Sequence, residues 1–497
     1  MQINSPVKWP RLAGVAFALL FAVLLSLRLG LFREQAADRA GQEERAVPAS
    51  AKPVRDIWLS ISQEGRKIGY ARRRFLSVNG GYQWREEVFL RINTLGVVQP
   101  LSFQTEGNLD PQMLMLSFKF NLSSSLFHFT ARGTVKDNRL ILWAGKPGEE
   151  KKTEMALRGP VRLPVELLEA SQIAGLKVGE IRTINVFDPM TMGERPVRVS
   201  LVDSGETILH LGKRVRARKY ALDFMGATQF AWLGEDGLVL REKGLLGITL
   251  ESATKQDALA GIAQEGSFDL AELASVAANR EIKEPGALAE LSIRLGNLGA
   301  TAFSLDGGRQ VFRDGVLRIR KESLPPAQGR ERIDQESPFL KPGPLIQSDH
   351  PLIVKKAREI VASAENKAEQ AKKLLTWVHK HVKKQPLLSV PNALETLMNL
   401  KGDCNEHAML LAALARAAGI PAEIEAGLVY MRGRFYYHAW NVLYLGDWVT
   451  ADAVLGQMPA DVTHLRFVRG SLERQADLLG LIGQVQLEII SETGKVR

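Results

Sequence analysis

The stretch Gly402-Asp403-Cys404-Asn405-Glu406-His407 holds the only cysteine of the chain. Asp403 followed three residues on by Glu406 is the pattern of a capping box, in which two side chains satisfy free backbone N–H groups at a helix start. It places Cys404 at the first helical position. Free N–H groups and the positive end of the helix dipole favour an anion there. A thiolate at such a place is expected to form more readily than in a free cysteine. The stretch that follows, "NEHAMLLAALARAAG", is rich in Ala and Leu on most faces and stops at Gly419 and Pro421. That predicts a buried central helix with a reactive residue held rigidly at its tip.

A cysteine nucleophile needs a base. His438 lies 34 residues downstream in "FYYHAWNVLYL", and Asp452 follows "WVTA" 14 residues further on. "AEIEAGLVYM" reads as a strand, Arg432-Gly433-Arg434 as a turn, and the His438 and Asp452 stretches as two more strands around Gly446-Asp447. Neighbouring strands can set a histidine and a carboxylate side by side. The face depends on register, because a one-residue slip turns every side chain over. With Tyr444 opposite Trp448, the residues Tyr436, His438 and Trp440 share a face with Trp448, Thr450 and Asp452. That register is predicted, with a His438–Asp452 hydrogen bond. Asp452 would then orient the ring that takes the thiol proton. Taken singly, a strand histidine is more often a core hydrogen-bond partner and the aspartate a turn residue. His407 could reach the thiol from its own helix but lacks a matching carboxylate. A metal site made from His407, His438 and His464 lacks ligand spacing, so neither metal nor cofactor is expected.

The chain has 497 residues, too many for one ordinary core, so two or three domains are expected. A hydrophobic share of 45% with 24% charged residues fits a folded body. The 65 basic and 55 acidic residues leave a net charge of +10, a mild bias. It suits an ordinary solvated surface, or an anionic neighbour such as lipid headgroups or cell-wall polymer, and no nucleic-acid partner is expected. A lone cysteine cannot form an intramolecular disulfide, so Cys404 is either a small buried apolar residue or a thiol kept for reactivity.

Lys8 and Arg11 precede the apolar run "LAGVAFALLFAVLLSL" from Leu12 to Leu27, which continues to Phe32. No small-residue cleavage site follows directly, and Ala49-Ser50-Ala51 is too far on. Residues 1–33 are therefore expected to be an uncleaved membrane anchor, and 34–55 a flexible tether. Residues 56–260 show short alternating runs, among them "DIWLSIS", "YQWREEVFLRI" and "MLMLSFKFNL". They read as a β-rich antiparallel sheet or partial barrel, interrupted by a helix-like piece from Pro164. No phosphate loop, metal spacing or nucleophile motif occurs there. Residues 261–345 form a linking β/helical region that ends in the Pro-rich "SPFLKPGPLIQSDHP". Apolar residues at helical spacing then predict one helix from Leu352 to about Lys384, with Trp377 as a core residue, and a second over Asn392–Leu400. Residues 346–470 make the catalytic domain and 471–497 a C-terminal extension.

"GDCNEHAMLLAALARAAGIPA", then "YHAWNV", then "WVTAD" resemble the transglutaminase-like superfamily of papain-type cysteine enzymes. "DAVLGQMPADVTHL" resembles the continuation seen in bacterial secreted or membrane-tethered members. The resemblance implies catalytic roles for Cys404, His438 and Asp452. It implies an α+β fold: a helical lobe carrying the cysteine on an antiparallel sheet carrying the other two. The tryptophan that animal cross-linking members use for the oxyanion has only two candidates here, Trp377 and Trp440. The expected function is thiol-dependent acyl transfer on a peptide or carboxamide bond of a substrate in the cell envelope. The chain would sit in the bacterial inner membrane by one span, with its bulk in the periplasm or outside. The alternative is a catalytically silent scaffold of the envelope.

Overall fold

The computed structural model describes residues 52–495 apart from 126–127, 146–147, 149, 165–172, 174, 225, 300–302, 326–336, 387–389 and 471. The expected anchor, nearly all of the tether and most of the helix-like piece after Pro164 lie outside the described residues. Among those described, no helix is long and apolar enough to cross a membrane.

The alternating runs of the first half build one antiparallel sheet of fourteen strands between Lys52 and Ala253. Its first eight strands run in sequence order to Lys151–Ala156. The last six do the same from Ile181–Asp188 to Ile248–Ala253. The two meanders join where Lys52–Gln63 pairs with Ile248–Ala253, with Ile61 opposite Leu250. Period-two burial is plain in Met115–Ser124, where Phe118, Phe120 and Leu122 point inward and Lys119 and Asn121 outward. The sheet curls: the Phe118 ring lies 5.2 Å from that of Phe187 in the other meander. Val161 and Arg162 stitch the halves, Val161 accepting the Met115 N–H at 3.0 Å and Arg162 bridging to Val186.

The second half is α+β. Helices Pro351–Val361, Lys367–His381 and Ala393–Asn399 surround the helix Cys404–Ala417. The single helix expected from Leu352 to Lys384 is two. The Asn366 side chain accepts the Glu369 N–H at 2.9 Å and starts a second helix after the first has ended at Val361. The apolar period survives the break because both pieces bury their stripes, Ile353 and Ala357 in one, Ala371, Leu374 and Val378 in the other. In the central helix every residue from Glu406 to Ala415 is buried. Each of its leucines contributes roughly 1.5–3 kcal/mol by leaving water.

That helix packs on a second sheet, in which Val276–Ala277, Arg434–Tyr444, Ala422–Met431 and His464–Arg469 lie in this order and Trp448–Ala451 adds to the edge of Arg434–Tyr444. A third sheet orders Gln310–Arg313, Val316–Arg320, Leu288–Gly296 and Gln486–Lys495. It joins the linking region to the C-terminal extension, which are far apart in sequence. One apolar cluster runs from Phe118 and Phe187 through Leu291 and Leu317 to Leu374, Leu411 and Leu443. The β-rich region and the helical lobe therefore share a core, and Pro53–Arg497 is one compact unit.

Candidate active site

The Asp403 side chain accepts the Asn405 N–H at 2.8 Å, and the Glu406 carboxylate accepts the Asp403 N–H at 2.8 Å. This is the capping box read from the sequence, and Cys404 is the first helical residue. The Ala439 backbone N–H, from the His438 strand, donates to the Cys404 sulfur. One turn deeper, Asn441 Nδ2 donates to Ala408 O at 2.9 Å, so helix and strand are tied at two levels. His407 does not serve the thiol. Its buried ring faces two backbone carbonyls, Asp403 O at 2.6 Å and Val382 O at 3.3 Å. Burial also lowers its pKa. It holds the segment Lys383–Lys384, which runs parallel to Lys401–Gly402 just before the cysteine.

Across the next hairpin Tyr444 faces Trp448, Val442 faces Thr450 and Asn441 faces Ala451. This is the register that sets His438 and Asp452 on one face, and His438 Nε2 lies 2.8 Å from Asp452 Oδ2. Nδ1 is left on the other side of the ring. The second oxygen of Asp452 accepts the N–H groups of Val454 and Leu455 at 2.7 and 2.9 Å. His379, in the helix Lys367–His381, meets Ala453 O at 2.9 Å and steadies the same turn. Burial alone would raise the Asp452 carboxyl. His438 and His464 outweigh it and hold the group well below the usual carboxylate range.

His464 was read from the sequence only as a weak metal candidate. Its Nε2 lies 2.9 Å from the same Asp452 oxygen and its Nδ1 3.3 Å from Asp461 Oδ1. Local spacing gives no sign of this, because His464 arrives on a strand that pairs with Ala422–Met431, not within the His438–Asp452 hairpin. His438, Asp452 and His464 bring three ligand-type atoms within 4.8 Å. Their contacts have the lengths of hydrogen bonds, and donors of the protein already fill both Asp452 oxygens. The trio is a hydrogen-bonded relay.

The thiol differs from expectation. Burial pushes the Cys404 pKa well up, and the carboxylates of Asp403, Glu406 and Asp452 push the same way; the Ala439 N–H pulls against them. Burial is the main cause that outweighs the helix N-terminus, and the cap residues Asp403 and Glu406 add to it. Cys404 keeps partial exposure.

The Trp440 indole N–H is already committed to another acceptor. Trp440 is buried and donates Nε1–H to Glu425 at 2.9 Å. Trp377 stacks on His381 with ring centres 4.6 Å apart, over a groove lined by Ile360, Lys372, Lys373 and Lys380.

A helical lobe with a cysteine at a helix tip, packed on an antiparallel sheet that carries a His–Asp pair, defines a class, and a family match names it. Residues 354–453 match the family described as the transglutaminase-like superfamily. The chain thus carries a transglutaminase-like domain, and the matched segment holds Cys404, His438 and Asp452. No curated protein matches the chain. Among solved structures it is similar to a "putative cysteine protease" from Cytophaga hutchinsonii, at 18% identity over 42% of this chain and 84% of that one, with a TM-score of 0.26. The periplasmic domain of TgpA from Pseudomonas aeruginosa, bound to ethylmercury, matches at 16% identity over 34% and 73%, with a TM-score of 0.23. A beta-barrel-like protein of domain family DUF1849 from Brucella abortus matches at 11% identity over 40% and 93%, with a TM-score of 0.30.

Proposed function

We propose that the chain is a thiol-dependent acyl-transfer enzyme acting on a peptide or carboxamide bond, with Cys404 as nucleophile, His438 as base and acid, and Asp452 orienting His438. The observation that supports it most is local. The residue that donates to the Cys404 sulfur is Ala439, next to His438, whose ring is fixed at 2.8 Å on Asp452.

Because the free thiol is held protonated, deprotonation accompanies attack. His438 Nδ1 takes the proton as sulfur bonds to the substrate carbonyl carbon. The Cys404 N–H, at the helix start and without an acceptor among the described residues, is placed to stabilise the oxyanion. When the C–N bond breaks, the proton passes from His438 to the leaving amine and a thioester remains. Water or a second amine then attacks it, gives a proton to His438, and the sulfur leaves with that proton. The apolar N-terminal run beyond Lys8 and Arg11 supports placing this activity in the cell envelope, on a peptide or protein there.

The test is to incubate the full chain with envelope peptides and map acyl adducts by mass spectrometry. A thioester on Cys404 is expected, absent from Cys404→Ala and released by a primary amine. A folded protein that forms no adduct with any peptide fraction would instead be the silent scaffold.

A further inference from the structure

We propose that His464 is a positioning residue that stays an imidazolium at neutral and mildly alkaline pH, clamped between Asp452 and Asp461 so as to fix Asp452 for His438.

Asp461 accepts from Thr463 N at 2.9 Å, Thr463 Oγ1 at 2.6 Å and Gln457 Nε2 at 3.0 Å, in addition to His464. Asp452 accepts two backbone N–H groups on one oxygen and two imidazole nitrogens on the other. A carboxylate has about four lone-pair sites, and on Asp452 they are filled two to each oxygen; on Asp461 three donors meet Oδ1 and one meets Oδ2, and His464 and Thr463 hold the group below the usual carboxylate range. Both are ionised, and an ionised carboxylate can only accept. Each His464 nitrogen must therefore donate, and a neutral imidazole has one N–H. Burial opposes the charge on His464, but its bonds to the two carboxylates outweigh burial and raise its pKa; Asp461 is lowered in turn.

Trp440 lies edge-on with ring centres 5.1 Å apart, and His438 stands at 6.0 Å. Arg309 donates to His464 O at 3.2 Å and has Glu322 at 4.0 Å; Arg466 is paired with Glu425 at 3.1 Å. Arg309 also interacts electrostatically with Asp461 of the clamp.

Two consequences follow for the relay. Asp452 is held from a second direction, so the His438 ring keeps one orientation. The positive charge of His464 also takes up part of the Asp452 charge, so a proton reaching His438 is not trapped there and can pass to a leaving amine. This second part rests on the catalytic reading above; the protonation state does not.

The experiment uses the full chain labelled with 15N-histidine, with His464→Gln to assign the resonance. At pH 8, about 1.5 units above the pKa of a free histidine, a ring with both nitrogens protonated is expected, and it disappears in His464→Gln. A neutral His464 at that pH overturns the proposal. So does one tightly bound transition-metal ion per chain that is lost in the variant. Asp461→Asn removes one carboxylate and should let His464 lose its proton at lower pH; an unchanged resonance in that variant also overturns the clamp. For catalysis, Gln can still donate to Asp452 but carries no charge. Loss of that charge favours protonation of His438, the base, so the acidic limb of the pH–rate profile should move up by about one unit. A slower enzyme with an unmoved limb would make His464 merely structural. An imidazolium in a chain without activity would leave the clamp standing and sink the catalytic reading.

Discussion

Trp440 stands directly opposite Glu425 across two paired strands, and its indole N–H donates to the buried Glu425 carboxylate at 2.9 Å. Arg466 and Arg469 hold the other oxygen at 3.1 and 2.6 Å. These partners bring the Glu425 pKa below its ordinary value although burial acts the other way. The tryptophan thus anchors the strand that carries His438. Trp440→Phe leaves one buried carboxylate oxygen without its donor, a loss of about 1–3 kcal/mol. Urea unfolding should show that loss, while the variant still forms the Cys404 adduct. A variant of unchanged stability that forms no adduct would return the indole to the oxyanion role.

The raised thiol gives a second prediction. With its pKa above that of a free cysteine, Cys404 is protonated at pH 7 and its alkylation by iodoacetamide should be slow at pH 6. The rate should climb through the alkaline range, and no plateau should appear near neutrality. A fast, pH-independent reaction between pH 6 and 7 would mean a preformed thiolate–imidazolium pair.

Several features of the site were legible because they follow from short-range rules. Asp403 and Glu406 announced the cap, whereas the turn after Tyr444 admitted two registers, and only the demand that His438 meet Asp452 selected the one that pairs Tyr444 with Trp448. The long-range features were hidden. His464 reaches Asp452 through a strand paired elsewhere, with a register shift between Ala426 and Gly427 that no local pattern encodes. The Cys404 pKa was misread because the helix-terminus rule describes a solvated end, whereas this end is lined by carboxylates and protein. The helix break was masked by an apolar period that runs on through Ala362–Glu365. Alternation identified the β-rich region, but not that its core would be continuous with that of the helical lobe.

A third prediction concerns acid stability. Asp461 is depressed in the folded chain relative to about 3.9 when unfolded, so its contribution is present above that pH and is lost as pH falls through the folded value. Asp403 and Glu322 are raised by burial and act in the opposite sense, so wild type alone cannot isolate the effect. The difference between wild type and Asp461→Asn can. That difference should shrink steadily as pH drops below about 4. A constant difference from pH 6 to 2 would show that Asp461 is not ionised in the native state.

The last prediction concerns the glycine between the two histidine-bearing strands. Gly427 faces His438 on one side and Arg466 on the other, beside the register shift. A Cβ there would lie 1.9 Å from Leu465 O and 3.0 Å from Phe467 N, both backbone atoms that cannot rotate away. Gly427→Ala must therefore push the His464–Arg469 strand outward and draw His464 off Asp452. The cost should be at least the 1–3 kcal/mol typical of overpacking, with loss of the His464 imidazolium signal and a fall in acyl transfer. Gly433 is the control. Its φ is +81° and nothing lies within 4 Å of an added Cβ, so Gly433→Ala strains the turn by about 1–2 kcal/mol without touching the relay. Urea unfolding and histidine NMR on both variants separate the cases. A Gly427→Ala protein with wild-type stability and an intact His464 signal would show that the two strands do not meet as described.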